Sequence, residues 1–302
     1  MHPVLADVTD EAAFDALMAD APAKRAVLDA LGDHLDRVLQ APPDGSAIVG
    51  LDAEVVVKVM APFDRAHHDV EVAALQALHG RLPVATPEVL DVFDWHGWPG
   101  FVMRRLPGVQ LSSLQDRLDP DTHPSIADQL GEVLAALHAL PAPPAIPRAD
   151  WSAWCAERIP AFAATQRRRG TPEPLVASLA AWLPTAPVHA GPAAWLHTEV
   201  MPAHLMVTEA AGRARITGLF DFEPSWVGPV DYEFASVGVF FSAGDAGLLG
   251  RVLRAADRQV SPERLLAMAC LHRYANLGWY HRELGGPLDD PDALAARWFG
   301  VA

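Results

Sequence analysis

The chain has 302 residues, long enough for two lobes with separate cores. Its 23 basic against 38 acidic side chains leave a formal net charge of −15, which argues against a nucleic-acid partner and would draw cationic ligands toward the surface. Two cysteines, Cys155 and Cys270, offer no disulfide framework, and no apolar run has membrane-spanning length, so no membrane partner is expected and the location is read as a reducing cytoplasm.

In chain order, residues 9 to 40 carry alanine- and leucine-rich helical periodicity, reading as two helices around Pro22. Strands are expected over Ser46 to Leu51, Glu54 to Met60, Val89 to Trp95 and Gly100 to Arg105. A helix over Asp64 to Gly80 should pack across them, its apolar spacing set by Val70, Ala74, Leu75 and Leu78. After Gly108 the pattern turns mainly helical: Ser125 to His138, Asp150 to Arg168, Pro174 to Leu183, Tyr232 to Ser242, Ala246 to Arg258 and Pro262 to Leu284. Pro141 to Pro147 reads as a stiff linker between two of these helices. Leu205 to Val207 and Ile216 to Phe220 are short β-prone runs joined by a turn, hence a hairpin.

Chemistry gathers at that hairpin. Glu199 and His204 precede its first strand and Asp221 follows its second, so the three can converge. Metal-assisted phosphoryl transfer needs such a set: a carboxylate to orient or deprotonate an acceptor hydroxyl, and two ligands for a cation that neutralises phosphate charge. Upstream, Lys58 interrupts a valine-rich strand and Glu71 occupies the following helix. Alone, Lys58 would be an edge-strand solubiliser and Glu71 a solvated helix residue. As an ion pair, they would hold an ammonium ready for nucleotide phosphates. Gly45 and Ser46 sit in a turn whose backbone amides could cap those phosphates, or in a plain hairpin lead-in.

Taken in this order, Lys58, Glu71, the stretch Gly100 to Gly108, the helix Leu130 to His138, the loop Trp195 to His204 and Asp221-Phe222-Glu223 resemble the antibiotic phosphotransferases, which include aminoglycoside, hygromycin B and macrolide kinases. The resemblance spans roughly residues 45 to 285 and implies an α+β, bilobal protein-kinase-like fold. A small antiparallel-sheet lobe would occupy 1–105 and a larger, mainly helical lobe 106–302. It further implies ATP or GTP as cofactor with Mg²⁺ or Mn²⁺, nucleotide contacts at Met103, Arg104 and Leu106, Glu199 and His197 as catalytic residues, and His204 and Asp221 as metal ligands. The family's loop reads roughly His-Gly-Asp-Leu-His-Pro-x-Asn, whereas this chain has Thr198, Glu199, Met201 and His204 at the glycine, aspartate, second histidine and asparagine positions. Glutamate for aspartate displaces the carboxylate by about 1 Å, a change that can cost on the order of 100-fold in rate. Imidazole is unusual for Mg²⁺ and favours Mn²⁺ or another borderline metal; macrolide kinases of the family share that histidine.

For the acceptor, tryptophans beside carboxylates in the C-terminal half suit a sugar, although core packing accounts for most of the tryptophans. Glu223, Asp231 and Glu283 are the expected substrate contacts, and a cationic or glycosylated antibiotic, or a related metabolite, is the expected partner of a monomer or dimer. Two other readings remain: a kinase fold that binds without turnover, and a metal oxygenase in which His197, Glu199 and either His272 or His281 form a two-histidine, one-carboxylate site inside a β-barrel.

Overall fold

The computed structural model describes residues 5, 7–42, 47–114, 122–210 and 213–301; Gly45 and Ser46 lie outside them. Helices α1 (Glu11–Ala19) and α2 (Ala21–Leu35) open the chain, each N-capped by an aspartate, Asp10 accepting the N–H of Ala13 and Asp20 that of Ala23. Strands β1 (Ile48–Leu51) and β2 (Val55–Val59), helix α3 (Arg65–Leu78) and strands β3 (Val89–Trp95) and β4 (Trp98–Arg104) complete an antiparallel sheet of order β1-β2-β4-β3 with a helix across it. Strand β5 (Val109–Gln110) then leads into α4 (His123–His138), α5 (Trp151–Arg168) and α6 (Glu173–Trp182). Next come β6 (Ala193–Leu196), the hairpin β7 (Leu205–Ala210) and β8 (Arg213–Leu219), and β9 (Trp226–Pro229). Helices α7 (Glu233–Ser236), α8 (Ala246–Ala255), α9 (Pro262–Leu271), α10 (Leu277–Leu284) and α11 (Pro291–Phe299) close the chain. The molecule is therefore bilobal, with a small antiparallel lobe and a mainly helical one.

Side-chain alternation along β2 explains what each face of the sheet does. Val55, Val57 and Val59 join Val27, Leu28, Leu31 and Trp98 in a core beneath the N-terminal helices. Val56 and Lys58 point the other way, and Phe101, opposite Lys58 in register, belongs to a second, larger core. That core joins Val70, Ala74, Leu75 and Leu78 of α3 to Leu130, Leu134, Leu205 and Phe222, so apolar packing crosses the chain boundary near residue 105. No helix among the described residues is long and apolar enough to cross a membrane.

Three sequence expectations need correction. The apolar run 262–284 is two helices, because His272 leaves the helical region and Asn276 starts α10 by accepting the N–H of Trp279 at 3.1 Å. Residues 232–242 are helical as expected, but as the short α7 followed by a π-helical turn over Val237–Phe241 rather than one regular α-helix. The pairing of β6 with β9 was not expected from local pattern; it is extended by Arg148, which bridges to Val227 in parallel and ties down the proline-rich linker.

Candidate active site

Pairing of Leu205 with Leu219 sets the ends of the hairpin side by side, which is why residues 17 positions apart in sequence, His204 and Asp221, meet at 3.1 Å (Nε2 to Oδ2). Helix α3 carries Glu71 on the same face as Ala74, Leu75 and Leu78, and so into the interior, where it is buried. Lys58 comes to the same point from β2. Its ammonium donates to Glu71 Oε2 at 2.7 Å, Asp221 Oδ1 at 2.8 Å and Glu223 Oε2 at 3.0 Å. All three of its protons are thus spoken for, and three carboxylates share one cation.

The electrostatics follow from that imbalance. Burial opposes the charge on Lys58, but Asp221, Glu71 and Glu223 outweigh it and hold the ammonium well above its usual range. Burial likewise disfavours the Asp221 carboxylate, yet Lys58 and His204 keep it well below the usual carboxylate range. Glu71 is pushed up to about 7 by burial, which prevails over the stabilising charge and hydrogen bond of Lys58, while Asp221 and Glu223 add repulsion. Glu199, half-buried, is also raised to about 7, first by burial and then by Asp221 and Glu223.

The two histidines of the loop are in opposite states. His197 Nε2 donates to the carbonyl of Phe220 at 2.9 Å, and its Nδ1 accepts the N–H of Glu199 at 3.4 Å. One donor and one acceptor make a neutral ring, consistent with burial lowering its pKa. His197 is fully buried, so its task is to position the loop, and the catalytic role expected from sequence does not fit this placement. His204 instead faces two acceptors, the carbonyl of Glu199 at 2.8 Å and Asp221. Burial works against its charge, but Asp221 and Glu199 overcome that and raise its pKa, making it an imidazolium.

Glu233, at the start of α7, holds the loop from below. It accepts the backbone N–H groups of His197 at 2.7 Å and Thr198 at 2.8 Å while fully buried. Thr198 occupies φ +74, which a β-branched residue rarely adopts. Its hydroxyl donates to Pro224 O at 3.1 Å and its carbonyl accepts from His272 Nε2 at 2.9 Å, so the surroundings over-determine the conformation. Sequence reading missed Glu233 and His272 in these roles; a lone acid at a helix start carries no local signal that its partners are backbone amides 35 residues away.

Other expected residues fall out as follows. Met103 is buried in the larger core, Arg104 is exposed and pairs with Glu88 at 2.8 Å, and Leu106 packs over Gly218. Gly108 lets the connection cross β7 closely: at φ +100, a Cβ there would meet Val207 O at 2.4 Å. Glu223 pairs with Lys58 rather than facing an acceptor. Asp231 is buried with both oxygens committed, to Arg264 at 2.6 Å and Arg258 at 3.0 Å, which makes it a structural tie and not a substrate contact. Glu283 is exposed on α10, apart from the cluster. The oxygenase arrangement fails, since the lobe is helical, His272 is spent on Thr198 and His281 contacts Gly286 O at 2.9 Å.

This combination of lobes is that of a bilobal protein-kinase-like fold. The model of the phosphotransferase enzyme family, APH, matches residues 46–267, and the chain belongs to that family. Among solved structures, the GDP complex of aminoglycoside 2'-phosphotransferase-IIIa is similar at 16% identity, covering 91% of this chain and 96% of that one with a TM-score of 0.68. The macrolide 2'-phosphotransferase from Brachybacterium faecium shares 22% identity over 90% of this chain and 98% of that one, TM-score 0.55. An aminoglycoside-3'-phosphotransferase of type VIII shares 18% identity, covering 78% and 91%, TM-score 0.56. No curated protein sequence matches.

Proposed function

We propose that the chain is a small-molecule kinase that transfers the γ-phosphate of ATP or GTP to a hydroxyl of an antibiotic or related metabolite. The observation that carries this reading is the buried cluster in which Lys58 from the small lobe meets Glu71, Asp221 and Glu223. Three carboxylates converge on one ammonium there, which suits a site completed by a cationic ligand.

The donor set fits a divalent cation. Ligand oxygens of Glu71, Asp221 and Glu223 lie within 4.8 Å of one another, and hard cations prefer such oxygens. Asp221 and Glu223 would hold it, with His204 joining only after giving up its Nε2 proton. When bound, the cation supplies charge neutralisation at the phosphates. Lys58 would then exchange one carboxylate for a phosphate oxygen while Glu71 keeps it aimed. Glu199, with a pKa of about 7, is poised to accept the acceptor hydroxyl's proton, because a base works best when its pKa lies near the working pH. His197, Glu233 and His272 fix the backbone that presents it. The aminoglycoside and macrolide enzymes of similar fold motivate antibiotics as the first acceptors to try.

The test is transfer of label from γ-labelled ATP or GTP to a panel of hydroxylated antibiotics in Mg²⁺ or Mn²⁺. Label in the acceptor that disappears with Glu199→Gln supports the reading. Nucleotide binding without transfer by the native chain to any acceptor would instead make it a kinase fold that binds without turnover.

A further inference from the structure

Beside the catalytic loop lies a cavity of about 220 Å³ lined by α5 and the 270–275 segment, with Glu157, Arg158, Thr165, Gln166, Arg169 and His272 in its wall. One wall is shared with the loop, since His272 Nε2 meets Thr198 O, the residue before Glu199. From Arg158 in the cavity wall a stacking ladder runs to Arg273, which lies outside that wall. The guanidinium of Arg158 stacks 3.7 Å over Trp154, Trp154 meets Trp226 edge-on at 4.7 Å, and Arg273 lies 4.9 Å over the other ring of that pair.

These guanidiniums are held by stacking, by carbonyls and, for Arg273, by the phenols of Tyr232 and Tyr274, not by carboxylates. Arg158 reaches His272 O at 3.5 Å and Arg169 donates to Ala275 O. Arg273 Nε is buried with no hydrogen-bond partner among the described residues. In a chain with 38 acidic side chains, Asp231 takes two arginines, yet among the described residues none of Arg158, Arg169 and Arg273 forms an ion pair with a carboxylate. Exposed Glu157 offsets one of the three charges, and His272, lowered to about 4 first by burial, adds none. The three cations also feel one another, since Arg273 and Arg169 both act on Arg158, and Arg273 acts on Glu199. A polycation would meet repulsion here. Guanidinium forks match planar or tetrahedral oxyanions.

We infer that the acceptor carries an anionic group, held by Arg158 and Arg169 in the cavity that shares His272 with the loop presenting Glu199, with Arg273 adding positive charge from outside the wall. This rests on the kinase reading and narrows its substrate class away from polyamine antibiotics.

Calorimetric titration of the full chain with D-gluconate, inorganic phosphate and kanamycin tests it, using the native protein and the Arg169→Gln, Arg158→Gln and Arg158→Lys variants, after ATP and GTP have been titrated into the native protein. Gluconate or phosphate should bind the native protein and lose about 10-fold or more in affinity in the two glutamine variants. Arg158→Lys, which keeps charge and stem, should lose less, a difference that misfolding would not produce. Phosphate held only on the nucleotide site would not respond to these variants. Failure of both anions to bind, affinities unchanged in the glutamine variants, or kanamycin binding the native protein more tightly than gluconate overturns the inference. Nucleotide binding without anion binding removes this inference and leaves the kinase reading; no nucleotide binding removes the kinase reading, while arginine-dependent anion binding still decides this one.

Discussion

Lys58 and Asp231 are both buried ions, and they are surrounded in opposite ways. Lys58 has three carboxylates around one ammonium, whereas Asp231 has one carboxylate between two guanidiniums, one of them partly exposed. The second gives each oxygen of a buried carboxylate its own guanidinium and ties the end of β9 to α9. The first leaves negative charge in excess and gains from a cation and a phosphate, and within it burial above all pushes Glu71 and Glu199 up to about 7. The difference teaches that burial of a charge is not itself a sign of function; a surplus of carboxylate oxygens that a cation can use points to one.

The comparison breaks most visibly at Lys58. Lys58→Met should lower phosphoryl transfer by about 1,000- to 100,000-fold, the size of effect seen when a cation on the transferred group is removed, measured as kcat/KM. Glu199→Gln should come next, with a loss of about 100- to 10,000-fold in kcat. In the native protein, kcat should rise with pH through about 7 as Glu199 loses its proton. Stability should move the other way. Glu71 and Glu199 have folded pKa values near 7 against an ordinary 4.5, so the folded chain binds their protons more tightly. The stability they lend is present below about 4.5 and lost as pH rises through 7, a fall readable in the Tm of the ligand-free protein. By the same sign, Glu199→Gln should stabilise that protein at pH 8 by on the order of 1 kcal/mol after allowance for partial exposure.

At the Asp231 cluster, Asp231→Asn should destabilise by about 3 kcal/mol in chemical denaturation, because it leaves two guanidiniums without a counter-charge. Nucleotide affinity should stay within about 2-fold, since sites this separate act additively. The smallest effect is at Thr198, where glycine would relieve a left-handed conformation worth about 1–3 kcal/mol but lose one hydrogen bond of about 1 kcal/mol. Thr198→Gly should therefore stabilise by on the order of 1 kcal/mol.

Local pattern carried much of the small lobe into view. The β3 strand occupies the span its alternation predicts, and α3 differs only at its ends. The Lys58–Glu71 pair is readable because Lys58 interrupts an apolar strand, a cost that calls for a partner, and Glu71 stands on the helix that follows. What stayed hidden is non-local. Nothing in the sequence near Asp231 distinguishes an acid that will meet two arginines from one that will meet a substrate. The same holds for Glu223, whose partner on β2 lies 165 positions upstream. The break at His272 was hidden because residues 262–284 stay largely apolar through it, and only Asn276 marks a new start. His204 illustrates a subtler gap: a histidine in a metal ligand's place says nothing of its protonation, which the carbonyl of Glu199 and the carboxylate of Asp221 decide together.

The most direct test of the central claim is a thermal-shift titration of the native protein and Lys58→Met with ATP and GTP, each with Mg²⁺ or Mn²⁺. Saturation at about 100 times the dissociation constant should add about 2.7 kcal/mol, or roughly 5 °C. The account predicts a metal-dependent rise in Tm with at least one nucleotide that Lys58→Met abolishes. An equal rise in both proteins, or none in the native one with any pair, would contradict it.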